Sequence, residues 1–150
     1  MSERTKSHVD PSTLTITFQR TLAAPPDEVF DAWTDPEAMR AWWDPTGTPL
    51  AACTIDARAG GKFEFTMSSG HAPPFAGVYR VVDRPTRIVF DAMGAVGTVR
   101  LEAAGATTNM TVTIRCASAE HLAKFLELGV AEGTDRTLDN LVARIARRTR

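Results

Sequence analysis

Few residues in this chain have the chemistry to move a proton or form a covalent bond. A nucleophile–base pair needs a histidine poised beside a hydroxyl, thiol or carboxylate. Of the three histidines, His8 sits in a polar leading stretch and reads as solvated. His71, in SSGHAPPF, falls in a loop between two predicted strands, where it could overhang a cavity mouth. His121 lies in the first turn of a predicted helix, where the positive dipole end disfavours an imidazolium, and it reads as surface. With Tyr79 and Arg80, His71 completes the short set from which an acid–base enzyme would have to draw. Glu64, Arg80, Asp91 and Arg100 fall on predicted strands, where alternation decides which face each takes. Glu64 points to solvent if Phe63 and Phe65 line the interior. The sides taken by the other three stay open.

Other chemistries find no support. Cys53 and Cys116 are too few for a disulfide framework and too far apart in sequence for a metal-ligand pair. They read as free thiols packed as small apolar groups. The glycine pair of RAGGKFEF lacks phosphate-loop spacing and opens a strand rather than a helix. No metal, cofactor or catalytic residue is expected. A formal net charge of −1 gives no long-range attraction for nucleic acid, and the basic ending ARIARRTR suits a helix C-terminus. No apolar run reaches the roughly 18 residues a membrane span needs. MSERTKSHVD lacks the apolar segment of a secretory signal, so a cytoplasmic location is expected.

The elements that would position these residues follow from periodicity. Residues 1–12 are expected to be a flexible tail, and residues 13–147 one domain. TLTITFQRTL alternates, with Leu14, Ile16 and Phe18 on one side, as a half-buried strand does. AAPPDEVFDAWTD changes to helical spacing, with Pro26 in the first turn and Val29, Phe30 and Trp33 on one face. Asp35 before Pro36 and Glu37 reads as the N-cap of a second short helix carrying Met39 and Trp42. From about Ala51 to Cys116 the chain alternates through several strands joined by short turns, an antiparallel meander. Ser118 to about Arg147 predicts one long helix with Leu122, Phe125, Leu126, Gly129, Gly133, Leu141 and Ile145 in a stripe. Glycines inside a helix cost about 1 kcal/mol each against alanine. Gly129 and Gly133 are therefore expected to allow close approach of another surface or a guest.

The segment AWTDPEAMRAWWDP contains all three tryptophans, Trp33, Trp42 and Trp43. Trp33 reads as core. Trp42 and Trp43 are adjacent and cannot both face inward from one helix, so one of them is expected at an exposed or gating position.

Taken in order, TLAAPPDEVFDAWTDPEAMRAWWDP, GGKFEF and GVYRVVDRPTRIVF resemble the START-like (SRPBCC) superfamily. Within it, the chain resembles bacterial homologues of the C-terminal domain of the activator of the heat-shock-protein-90 ATPase. The resemblance covers roughly residues 13–147. It implies an α+β helix-grip fold: a curved antiparallel sheet of six to seven strands around a long C-terminal helix, with two short helices after the first strand. It also implies a cavity between sheet and helix. Its expected wall comprises Trp33, Trp42, Trp43, Phe63, Phe65, Met67, His71, Phe75, Tyr79, Phe90, Phe125, Gly129 and Gly133. Non-catalytic binding of a small apolar or amphipathic molecule is the favoured expectation. A cyclase- or hydratase-type enzyme on the same scaffold is one alternative. A co-chaperone-like adaptor in the stress response is another, weakened because no second, partner-binding module accompanies the domain. A homodimer through a free meander edge is compatible with the pattern.

Overall fold

A computed structural model describes residues 7–68 and 73–149. Eight strands form one open, curved antiparallel sheet: β1 (His8–Asp10), β2 (Thr15–Leu22), β3 (Ala52–Ile55), β4 (Lys62–Thr66), β5 (Phe75–Asp83), β6 (Arg87–Ala92), β7 (Ala95–Ala104) and β8 (Thr107–Arg115). Their order is β1-β2-β8-β7-β6-β5-β4-β3. The meander from β3 to β8 therefore pairs each strand with its sequence neighbour, and β2 returns to the far side of β8. The strand count is eight rather than six to seven. One extra strand is His8–Asp10, where a loose tail is expected but the backbone pairs with Thr15–Thr17.

Four helices cover the inner face: α1 (Pro26–Thr34), α2 (Pro36–Trp42), α3 (Ala119–Glu127) and α4 (Val130–Thr149). Asp35 caps α2, accepting from the Glu37 N–H at 3.1 Å, and Ser118 caps α3, accepting from the His121 N–H at 3.1 Å. These are the start signals read from the sequence. The single C-terminal helix is corrected to two. Leu128 ends the first, and Gly129 takes a φ of +78°, a left-handed conformation that glycine adopts without a Cβ clash. Gly129 thus serves as a helix terminator and not as a place of close packing.

Strand alternation places Ile16 and Phe18 in the core, as expected, with Leu14 partly buried against it, and the same face also buries Leu22 and Arg20. The arginine is only 6% exposed. Its Nε donates to Asp139 Oδ1 at 3.1 Å, Nη1 to the Gln19 carbonyl at 3.0 Å and Nη2 to the Asp135 carbonyl at 3.0 Å. A buried cation is tolerable only when paired and hydrogen-bonded, and α4 supplies what β2 cannot. The same helix buries Leu138, Leu141 and Ile145. Each contributes about 1.5–3 kcal/mol relative to exposure, so packing, more than helix propensity, holds α4 across the sheet.

Candidate functional site

The aromatic side chains form one connected series. Trp33 meets Trp42 edge-on at 4.9 Å between centroids, and Trp42 meets Trp43 at 6.0 Å. Trp43 then meets Phe65 at 5.0 Å and Phe75 at 5.1 Å. Phe63 continues the series to Tyr79 at 5.1 Å and to Phe90 at 5.5 Å. Offset and edge-to-face contacts of this kind add about 0.5–1.5 kcal/mol each beyond the area they bury. These contacts therefore hold the series together beyond its apolar burial.

Two tethers fix its helical end to α4. Thr137 Oγ1 donates to the Trp43 carbonyl at 2.8 Å, and Asn140 Nδ2 donates to the Asp44 carbonyl at 3.0 Å. Trp42 is 1% exposed, and its Nε1 donates to the Ala32 carbonyl at 3.0 Å. Trp42 is therefore core, and the half-buried Trp43 takes the position facing the open space.

That space is a cavity of about 270 Å³ between the sheet, the tryptophan segment, α3 and α4. Trp33, Trp43, Met67, Phe75, Phe90, Phe125 and Gly133 line it, seven of the residues expected there. Phe63, Phe65 and Tyr79 instead surround an adjoining void of about 20 Å³, together with Trp33, Trp43, Phe75 and Phe90. A void of that size holds about one water, so these three form the packed floor rather than the cavity wall. Trp42 and Gly129 border neither space, which corrects their expected place. His71 lies outside the described residues. The sequence reading missed Pro45, Ala92, Met93, Ala95, Gly97, Val112, Thr113, Ile114, Val130, Thr134, Thr137 and Leu138. Alternation signals Val112 and Ile114; the rest depend on which elements meet.

Two glycine–phenylalanine pairs shape the sheet beneath. Phe63 is paired across from Gly77, and Phe90 across from Gly97. A Cβ on Gly97 would stand 2.4 Å from Phe90 Cζ, and one on Gly77 would stand 2.5 Å from Phe63 Cζ. Each ring lies over a bare backbone position, which keeps it flat against the sheet, Phe63 in the packed floor and Phe90 in the cavity wall.

The electrostatics of the site are as marked as its shape. Among the described residues, no acidic, basic or histidine side chain lines the cavity. Arg80 is on the outer face, donating from Nε to Asp91 Oδ2 at 2.7 Å. Glu64 is exposed, as the inward turn of its phenylalanine neighbours requires. Arg100 borders a polar groove on the outer face with Arg87 and Glu102. Tyr79 is buried, and burial pushes its phenol well above the ordinary range. Cys53 is pushed up to about 11, chiefly by burial and secondarily by the Glu37 charge. Neither group ionises near neutral pH. His121 is not idle surface: Nδ1 accepts from the Ala117 N–H at 3.0 Å, which places the ring proton on Nε2, 3.1 Å from the Met93 carbonyl. It ties the start of α3 to the β6–β7 turn. Among the described residues, no group of three or more histidine, cysteine, aspartate or glutamate side chains could hold a metal ion, and no helix is long and apolar enough to cross a membrane.

A curved antiparallel sheet closed by helices over a cavity defines the START-like, helix-grip class of α+β proteins. The sequence profile of the family described as "Activator of Hsp90 ATPase homolog 1-like protein" matches residues 23–146, and the chain belongs to that family. Solved structures agree on the fold. The Mycobacterium smegmatis protein Ms6760 is 22% identical, with 95% of this chain and 98% of that chain covered and a TM-score of 0.82. A protein from Arthrobacter aurescens is 22% identical over 95% of this chain and 91% of its own, with a TM-score of 0.85. CV1439 from Chromobacterium violaceum is 28% identical over 87% and 96%, with a TM-score of 0.70. No curated protein is matched by the sequence.

Proposed function

We propose that this chain binds a small apolar or amphipathic molecule in the cavity between sheet and C-terminal helices. The observation that carries the reading is a cavity of about 270 Å³ whose described wall is mainly aromatic and aliphatic and bears no charge. Ligand sites are concave and mainly apolar, with a few polar groups among them, and this wall has that composition, its threonines being a minority among apolar residues. The cyclase- or hydratase-type alternative loses support from Arg80, which is paired with Asp91 on the outer face, and from Tyr79, which stays protonated in the packed floor. The family's description refers to a chaperone activator; the cavity gives no basis for extending that role to this chain.

The test is native mass spectrometry of freshly purified protein against its denatured mass, followed by fluorescence titration with prodan, a neutral dye built on two fused rings. A discrete mass excess lost on denaturation, or saturable one-to-one uptake of the dye, is the expected result. No excess together with no dye uptake would sink the reading.

A further inference from the structure

Among the described residues, one fully buried side-chain polar atom of the cavity wall has no partner. Trp33 is 5% exposed and borders both the cavity and the adjoining void. Its Nε1–H is buried and has no hydrogen-bond partner among the described residues. The contrast with Trp42, whose Nε1–H is given to the Ala32 carbonyl, shows that the fold satisfies an indole where it has an acceptor to offer. Buried polar groups in folded proteins are nearly always hydrogen-bonded, and an exception calls for an explanation. An indole N–H can only donate. Whatever satisfies it must bring an acceptor.

The neighbouring wall narrows the choice. The Thr137 hydroxyl is already given to the Trp43 carbonyl, and no lysine, arginine or histidine among the described residues lines the cavity to receive an anion. An unpaired carboxylate in such surroundings would be strongly disfavoured. Size adds a third restriction. An apolar cavity of about 150 Å³ accommodates benzene, so about 270 Å³ matches a molecule of two fused rings or equal bulk.

Resting on the binding reading above, we infer that the ligand is a neutral molecule of about two-ring size carrying a carbonyl or similar acceptor, and that Trp33 Nε1–H selects it by donating to that acceptor. Trp33 is then the specificity-determining residue of the cavity, while the phenylalanines supply shape.

Three probes of one size test this by calorimetry: 2-acetonaphthone, 2-ethylnaphthalene and 2-naphthoate. The ketone-to-hydrocarbon affinity ratio is compared between the native chain and Trp33→Phe, so that differences in water solubility cancel. A net hydrogen bond of about 1 kcal/mol corresponds to roughly a five-fold change. The ratio should fall by about that factor in Trp33→Phe and stay unchanged in Thr134→Val, and 2-naphthoate should bind at least about ten-fold more weakly than the ketone. If Trp33→Phe does not fold, proton–nitrogen NMR of the native chain decides the matter. The Trp33 indole resonance should move downfield with the ketone and not with the hydrocarbon. A ratio that is unchanged in Trp33→Phe, or that falls in Thr134→Val instead, overturns the role of Trp33 while leaving the cavity a binding site. Equal binding of naphthoate overturns the selection for neutrality. If neither neutral probe binds, the binding reading itself fails.

Discussion

Phe90 lies across its neighbour on the adjacent strand, Gly97, so closely that a methyl group on the glycine would stand 2.4 Å from the ring's Cζ. The glycine is what lets the ring lie down against the sheet, and the ring in turn forms part of the cavity wall. Gly97→Ala should therefore displace Phe90 toward the cavity. We expect a cost of about 1 kcal/mol, at the low end for overpacking because the contact is with the far end of a side chain that borders open space, and at least a three-fold loss of prodan affinity. Gly77→Ala meets the Asp91 carbonyl at 2.2 Å, which is backbone and has little room to yield. It should cost about 3 kcal/mol. Urea unfolding of both variants checks the order, and equal costs would refute the distinction.

The two helix glycines also separate. Gly129 has a φ of +78° and nothing nearer to an added Cβ than Glu132 Oε1 at 3.9 Å. Gly129→Ala is expected to cost about 1–2 kcal/mol through backbone strain and to leave dye affinity within two-fold. Gly133→Leu should do the reverse, placing a side chain in the cavity wall beside Pro45. It should cut affinity by ten-fold or more with little change in the urea midpoint. Calorimetric titration of both variants would expose an error in either assignment.

Arg20 joins β2 to α4 through side chains of unequal exposure: its own is 3% exposed, those of Asp135 and Asp139 are 23% and 37%. Removing one partner of a fully buried pair costs about 3–5 kcal/mol, and an exposed pair contributes about 0–1. Because water reaches the carboxylates, Arg20→Met should fall between, near 2 kcal/mol. Asp139→Asn, which leaves Arg20 its bonds to the two carbonyls, should cost about half as much. Chemical denaturation in low and high salt would show a salt-sensitive loss far below this if the network acted as a surface pair.

Alkaline pH should destabilise the fold ahead of general denaturation. Cys53, Cys116 and Tyr79 are all held above their ordinary values by burial of the neutral form. Above about pH 9 the unfolded chain begins to lose protons that the folded chain keeps, so stability falls as pH rises. The contribution is complete below pH 9 and declines through the region near 11 where Cys53 titrates. The slope is at most about 1.4 kcal/mol per pH unit for each group. Urea midpoints between pH 7.5 and 11 should fall less steeply in a Cys53→Ala, Tyr79→Phe double variant. The same raised value predicts slow alkylation of Cys53 by iodoacetamide at pH 8 in the native state.

Much of this architecture is written in local patterns that act through nearest neighbours. Period-two alternation sends Phe63 and Phe65 inward and Glu64 outward, and Asp35 and Ser118 start their helices where their side chains reach the first free N–H groups. The adjacency of Trp42 and Trp43 on one helical turn requires that they differ, and they do. What the sequence could not decide depends on contacts across long separations. Arg20 is buried because Asp139, 119 positions away, comes to meet it. A glycine in a helical stripe has two possible reasons, a turn or a close approach. Only the fold assigns the first to Gly129 and places Gly133 on the wall. Trp33 reads as core in sequence and is core; that its Nε1–H lacks an acceptor beside a cavity is a property of the assembled walls. Side-chain type and spacing determine which face is apolar, because each strand or helix carries that information itself. The volume left between faces, and the polar atoms left unmatched within it, arise only when the faces are brought together.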